Sequence, residues 1–172
     1  ALETMRREDP ATLGEVRFSV GLWVGRTATA NTLAEVATKI TTWKQHRDND
    51  KAPSPLPLTQ CPWCGTKLDA DTVTLVPNAS APTHVRILCK NFRGCDFGQG
   101  NKVHKEEGIP LVFVDEQVYR ELPSFLVATV DKFAMVPWRA EAGMLFGRVH
   151  SRVGGRFFGT PDTAIAERTA SL

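Results

Sequence analysis

Four cysteines carry the plainest chemistry in this chain. Cys61 and Cys64 stand in the run Cys61-Pro62-Trp63-Cys64-Gly65, and Cys89 and Cys95 follow with a wider spacing. A Cys-x-x-Cys turn with proline inside and glycine behind it points free backbone amides at the sulfurs. Such a turn lowers thiol pKa and places two ligands on one edge of a tetrahedron. The gap between Cys89 and Cys95 exceeds the usual two to four residues, and Gly94 is expected to give that loop the freedom to close. Four thiolates form a closed, soft site best suited to one structural zinc ion. An iron–sulfur cluster also takes four cysteines, though usually at other spacings, and free or disulfide-bonded cysteines are the remaining alternative. With no open coordination position, the site is not expected to be catalytic. His84 and His104 read as surface histidines rather than replacements for a thiol. Trp63, inside the first turn, either packs on the module or stacks on a base.

Other motifs lead less far. Val112-Phe113-Val114-Asp115-Glu116 has the form of a Walker B strand end, but the sequence has no Gly-x-x-x-x-Gly-Lys-Ser/Thr to bind phosphate. Gly98-Gln99-Gly100 lacks the flanking strand and helix of a phosphate loop. Asp115 and Glu116 therefore read as a solvated strand end followed by a helical turn through Tyr119; a small magnesium enzyme built on them is the weaker alternative. Every cysteine is assigned to the metal, so no cysteine nucleophile can be argued, and no Ser/His/Asp set is evident. By itself the chain does not read as an enzyme.

The elements that must position these residues follow from periodicity. Ala1 to about Glu8 reads as the end of a helix, and Val16 to Val24 as a buried strand closed by Gly25. Thr32 and Glu35 have capping-box spacing, and Leu33, Val36, Ala37, Ile40 and Trp43 recur at helical intervals, predicting a helix to about Arg47. Pro53, Pro55 and Pro57 mark a linker. Two short β-rich stretches, Thr72 to Val76 and His84 to Leu88, lie between the cysteine pairs, as in a zinc ribbon. Ile109 to Val114 and Ser124 to Thr129 are further strands, the second ending at a strand-to-helix junction at Asp131. Trp138, Ala142, Leu145 and Phe146 suit one helix face. From Gly147 onward the chain is rich in Gly, Arg and Ser and is expected to be poorly ordered. The whole is an α/β layer interrupted by a cysteine-bearing insertion.

Composition sets the outer bounds. The 172 residues suffice for one ordinary domain and a small satellite, with 42% apolar and 23% charged residues, both globular values. A formal charge of +2 argues against a generally basic nucleic-acid binder while leaving room for a local patch. No apolar run approaches a membrane span, and paired cysteines suit metal binding in a cytoplasmic setting. The chain starts with Ala1 inside an apparent helix. It is expected to be a cut piece of a longer protein, a processed or trimmed N-terminus being the alternative.

Two stretches go beyond generic α/β sequence: Ser19-Val-Gly-Leu-Trp-Val-Gly-Arg-Thr-Ala-Thr-Ala-Asn31, and Leu122-Pro-Ser-Phe-Leu-Val-Ala-Thr-Val-Asp-Lys-Phe-Ala134 followed by Trp138 and Leu145-Phe-Gly147. With the intervening Cys61-Pro-Trp-Cys-Gly65 they resemble bacterial superfamily 2 helicase-like proteins of the DISARM anti-phage type, in consistent order from near Leu2 to about Val149. The resemblance implies a partial RecA-like parallel sheet with helices, interrupted by a small β-rich zinc ribbon with four cysteine ligands. Residues 1–50 and 109–150 would be two parts of the first RecA-like domain, 51–108 the linker and ribbon, and 151–172 a flexible tail. ATP and Mg2+ would bind only in the parent protein, whose phosphate loop and DExH motif this piece lacks, and Asp115-Glu116 would be non-catalytic. The tail departs from the pattern, since Arg152 to Leu172 shows no aliphatic strand ending in Asp-Glu.

The function so implied is that of a nucleic-acid-binding fragment, with DNA as partner, of an ATP-dependent helicase or translocase in anti-phage defence. Gly25, Arg26 and Thr27 would touch backbone phosphates, as would Thr129 through its hydroxyl and nearby amides. Lys132 would be a further phosphate contact or a solvated base, and simple helix capping remains open for Thr129. Lys90, Arg93, Lys102 and Lys105 form a modest basic cluster countered by Glu106 and Glu107, and Arg148, Arg152 and Arg156 a second one. Expected partners are the remaining helicase segments and a subunit of a defence complex. The alternative function is a zinc-ribbon protein–protein docking module.

Overall fold

The computed structural model describes residues 1–25, 30–46, 53–100, 107–153 and 156–158. Helix α1 (Leu2–Glu8) and the single turn α2 (Pro10–Leu13) lead into strand β1 (Val20–Trp23). The strand is shorter than the apolar run from Val16 predicts, because the residues before it are engaged elsewhere. The Phe18 amide donates to Glu3 Oε2 at 2.8 Å, and the Arg17 guanidinium donates to the Glu107 carbonyl. Helix α3 (Leu33–Gln45) starts where the capping residues predict: Thr32 Oγ1 accepts from the Glu35 amide at 3.2 Å. The Glu35 carboxylate turns back to the Asn31 amide at 3.0 Å, one residue further than in the usual box. Leu33, Val36, Ala37 and Ile40 form its buried face.

The insertion contains a 3-10 turn at Ala70–Thr72 and two antiparallel strands, β2 (Val73–Val76) and β3 (His84–Ile87), with Val73 opposite Ile87 and Val76 opposite His84. The chain then returns through β4 (Leu111–Val112), α4 (Asp115–Glu121), β5 (Phe125–Ala128) and α5 (Val130–Ala134). β1 lies between β4 and β5, parallel to both, with Val20 beside Leu111 on one side and Phe125 on the other. The expected α/β class is therefore present, with a small separate antiparallel sheet beside the cysteines.

Between Val136 and Phe146 the predicted helix is replaced by two 3-10 segments, Val136–Trp138 and Ala140–Phe146. Pro137 cannot donate to an α-helical ladder. Of the four residues assigned to one helix face, Ala142 is buried, whereas Trp138 and Phe146 are exposed. At the start of the expected tail, β6 (Ser151–Val153) pairs with β7 (Arg156–Phe158); residues 159–172 lie outside the described residues.

One apolar cluster runs through both α/β layer and insertion. Leu33, Val36 and Ile40 of α3 share it with Val73, Val85 and Ile87, with Cys61, Cys89 and Cys95, and with Leu111 and Phe113. Gln117 of α4 adds a polar tie. Fully buried, it accepts from the Val85 amide at 3.1 Å and donates to Glu121 Oε1 at 2.8 Å, covering the β3 backbone from the side. A second, smaller cluster centres on Trp23, which meets Tyr119 and Phe133 edge to face at 5.8 and 5.9 Å.

Candidate functional site

Two hairpin-like loops bring the cysteines together. In the first, the Cys61 amide donates to the Thr66 carbonyl at 2.8 Å and the Gly65 amide to the Cys61 carbonyl at 2.9 Å. Gly65 has φ +74°, a left-handed conformation that glycine adopts without a Cβ penalty. In the second, the Cys89 amide donates to the Phe97 carbonyl at 2.8 Å and the Gly98 amide to the Cys95 carbonyl at 2.9 Å. The wider loop does not close through freedom at Gly94, which has no positive φ and donates its amide to Asn91 Oδ1 at 3.0 Å. The close approaches are at Gly98 and Gly100, where an added Cβ would stand 2.5 Å from the Asn91 carbonyl oxygen and 2.1 Å from that of Phe92. The Gly-x-Gly spacing was visible in the sequence; its role is loop closure.

The four sulfurs lie within 4.8 Å of one another, with Cys61 3.8 Å from Cys95 and Cys64 3.5 Å from Cys89. A tetrahedral ion with metal–sulfur bonds of about 2.3 Å requires sulfur–sulfur edges of roughly 3.8 Å. A disulfide would need about 2.05 Å, and all four cysteines are free. The cluster is compatible with one structural zinc.

Hydrogen bonding and burial set Cys64 apart from Cys89 and Cys95. Hydrogen bonds from the Thr66 side chain and backbone hold the Cys64 thiol down at about 6. Burial pushes Cys89 up against the opposing Asn91 amide, which lies 3.4 Å from its sulfur, and burial likewise pushes Cys95 up against the Phe97 amide. A soft cation entering this site would have to displace the protons that burial favours on Cys89 and Cys95.

His84 is not the expected surface histidine. It is buried on β3 with its Nδ1 3.1 Å from Thr83 Oγ1, and it is not among the clustered ligands. Trp63 packs edge-on against Phe97 at 6.0 Å yet remains 44% exposed. The Arg7 guanidinium covers Phe97 at 4.7 Å and donates to the Asp96 carbonyl at 3.0 Å, so α1 holds the second cysteine loop against the layer. Lys90 is not a free phosphate ligand, because its ammonium pairs with Asp69 at 2.5 Å and Asp71 at 3.4 Å. Arg26, Thr27, His104, Lys102 and Lys105 lie outside the described residues.

At the carboxyl edge of the parallel sheet, Gly25 follows β1 and Thr129 follows β5. The two strand ends are neighbours, since the Thr129 amide donates to the Trp23 carbonyl at 3.3 Å. Thr129 occupies the N-cap position of α5 without a side-chain cap; its hydroxyl stands 3.4 Å from Asp131 Oδ2. Lys132 forms an ion pair with Asp115, and the two side chains are only 16% and 10% exposed. Asp115 is therefore a buried residue opening α4, not a solvated strand end. Glu116 Oε2 accepts from the Leu33 amide at 2.8 Å, and its Oε1 meets Arg120 at 2.8 Å. Both carboxylates are thus engaged in joining elements, and neither belongs to a metal-ligating group among the described residues.

No family model matches the chain. Among the described residues no helix is long and apolar enough to cross a membrane. The sequence is 35% identical over 150 residues to the DISARM protein DrmA of Bacillus paralicheniformis, a match covering 84% of this chain and 12% of that protein. Over most of its length, as the DISARM-type resemblance implied, the chain is DrmA-like.

Proposed function

We propose that this chain is a zinc-stabilised, DNA-facing segment of an ATP-dependent superfamily 2 helicase or translocase in anti-phage defence. Its similarity to the DISARM protein DrmA carries the reading. The fold is consistent with it, because the carboxyl ends of β1 and β5 lie side by side at one edge of a parallel sheet, where α/β folds commonly bind ligands. In this reading the sheet is part of a RecA-like domain. Gly25, Arg26 and Thr27 offer amides and a guanidinium to phosphates, Thr129 offers a hydroxyl not used in capping, and Lys132 joins them on leaving Asp115. Cys61, Cys64, Cys89 and Cys95 hold one zinc ion, whose role is to crosslink the two loops and stabilise the fold. ATP and Mg2+ belong to other segments of a longer cytoplasmic protein, together with a partner subunit of the defence complex. Lacking a phosphate-binding loop, residues 1–172 alone are expected not to release phosphate from ATP above the level of a protein-free blank.

Fluorescence anisotropy with a labelled 20-nucleotide single strand tests the reading. Two neutralised phosphates, at Arg26 and Lys132, give a roughly sevenfold loss of affinity between about 50 and 200 mM salt. Absence of binding overturns it. The second reading, a protein-docking ribbon, is favoured by the exposure of Trp63 and Phe92 on the two cysteine loops. Under it, the oligonucleotide does not bind.

A further inference from the structure

Helix α1 is turned inside out. The side chains of Glu3, Arg6 and Arg7 form its buried face, while Leu2, Met5 and Glu8 lie on the opposite, exposed one. The buried charges are engaged: Arg6 donates to both Glu3 carboxylate oxygens at 2.9 and 2.7 Å, and Arg7 Nε to Glu107 Oε2 at 3.1 Å. Leu2 is 47% exposed and Met5 54%. The apolar surface continues past the helix. Arg6 Nη1 donates to the Glu15 carbonyl at 3.1 Å, which ties the segment after α2 back to α1, and Leu13 and Val16 on either side of that tie are exposed. A surface helix ordinarily buries its leucine and methionine and leaves its charges in water; a buried charged face beneath an exposed apolar one reverses that order. The charge of the surface is one-sided as well. Glu8, Asp9 and Glu15 are exposed, and the Glu8 and Glu15 carboxylates have no ion-pair partner among the described residues. The basic side chains of the same stretch, Arg6, Arg7 and Arg17, turn to Glu3, Glu107 and Glu121 instead.

We propose that this surface docks a basic amphipathic helix of a separate partner protein. Its apolar side chains rest on Leu2, Met5, Leu13 and Val16, and its lysines or arginines meet Glu8, Asp9 and Glu15. Charge complementarity selects this occupant. Nucleic acid or anionic lipid would bring phosphates against three carboxylates. A second copy paired about a twofold axis would bring the same carboxylates against one another. A basic amphipathic helix satisfies both parts of the surface, with apolar anchors at i, i+3, i+4 and i+7 and flanking cations beside them. An exposed ion pair contributes little by itself, so the apolar contact supplies most of the affinity and the charges supply the choice of partner. That the helix belongs to a separate subunit rests on the defence-complex reading above. Its chemistry does not, and neither depends on DNA binding at the sheet edge.

The probe is a labelled helical peptide of about 18 residues, leucine at those spacings and lysine elsewhere, with a leucine–glutamate peptide of the same pattern as its counterpart. Both are titrated into the chain purified with zinc. The lysine peptide is expected to bind about tenfold more tightly, an advantage that shrinks several-fold between about 0.05 and 0.5 M salt. Glu8→Lys combined with Glu15→Lys is expected to reverse the order of the two peptides. Both positions are exposed and unpaired, so the fold is retained, with the thermal melt as the check. Leu2→Ser combined with Met5→Ser is expected to weaken the lysine peptide about fivefold or more at every salt concentration. Binding of neither peptide, equal binding of both, or indifference to the charge reversal overturns the proposal. A dimer by light scattering that the Leu2 and Met5 changes dissociate assigns the face to a second copy and overturns it too. Repeating the titration in a longer DrmA-like protein that carries residues 1–172 separates the remaining source: loss of peptide binding there assigns the face to that protein's own further chain and overturns the separate partner. An unlabelled oligonucleotide is expected not to displace the peptide, and displacement would assign the face to nucleic acid. If the oligonucleotide binds nowhere, the peptide titrations are unchanged, so the two readings fail separately.

Discussion

Cys89 and Lys132 show how much a residue's partners decide. Cys89 is fully buried with its sulfur 3.5 Å from that of Cys64, so replacing it with serine removes a thiol at the dry side of the cluster. Cys89→Ser is expected to lower zinc from about one per chain to near none by atomic absorption, because a three-thiolate site no longer closes the tetrahedron. Zinc retained at parity with the parent would show that Cys89 is not a ligand. Lys132 poses the opposite problem, a cation already neutralised by Asp115. Asp115→Asn removes that counter-charge. If Lys132 is a phosphate ligand, the variant binds the oligonucleotide several-fold more tightly, and its log–log salt slope steepens by about 0.7 for the added contact. An unchanged slope would confine the pair to joining α4 and α5.

At the level of elements, α1 is held by charge. Glu3 is buried, which by itself pushes its carboxyl up, but hydrogen bonds from Arg6 and the Phe18 amide, with the charges of Arg6 and Arg7, leave it below its ordinary 4.5. Its ionised form is favoured in the folded chain. The resulting stability is complete above about pH 4.5 and is lost as pH falls through the lower folded value. Thermal melts between about pH 6 and 3 should therefore show a shallower acid decline in Glu3→Gln than in the parent, from a lower starting point; parallel declines would remove Glu3 as the titrating group. α3 and the cysteine cluster were legible because their signals are local: Thr32 and Glu35 beside an apolar period, and cysteines at ligand spacing. The Leu33–Glu116, Val85–Gln117 and Asp115–Lys132 ties were not legible. Each joins separate elements, and nothing near either residue specifies the other. The 3-10 path after Val136 was misread for a related reason: Pro137 was outweighed by an apolar pattern of which the fold buries Ala142 and leaves Trp138 and Phe146 exposed.

For the whole molecule, the decisive feature is that ribbon and α/β layer share one core. Cys61, Cys89 and Cys95 are themselves part of the apolar cluster that buries Leu33, Val36 and Ile40, and Gln117 ties α4 to β3 across the same boundary. A structural zinc contributes on the order of 10–16 kcal/mol of apparent binding free energy, comparable to the roughly 5–15 kcal/mol that stabilises an entire domain. If the four cysteines hold that ion, as proposed, its removal cannot leave the layer untouched unless the two halves unfold separately, and their common core argues against separation. A chelator titration followed by circular dichroism is expected to lose the helical signal of α3 in the same transition as the metal. Readdition of zinc should restore it. A two-step profile, with the helical signal surviving the first step, would show instead that the ribbon is an independent unit and that the shared cluster contributes little to cooperativity. The same experiment on Val36→Ala distinguishes these cases from the α3 side. Truncating a fully buried Val in a single cooperative core should lower the chelator concentration at the midpoint. In two separable units, the zinc-loss midpoint would stay where it is.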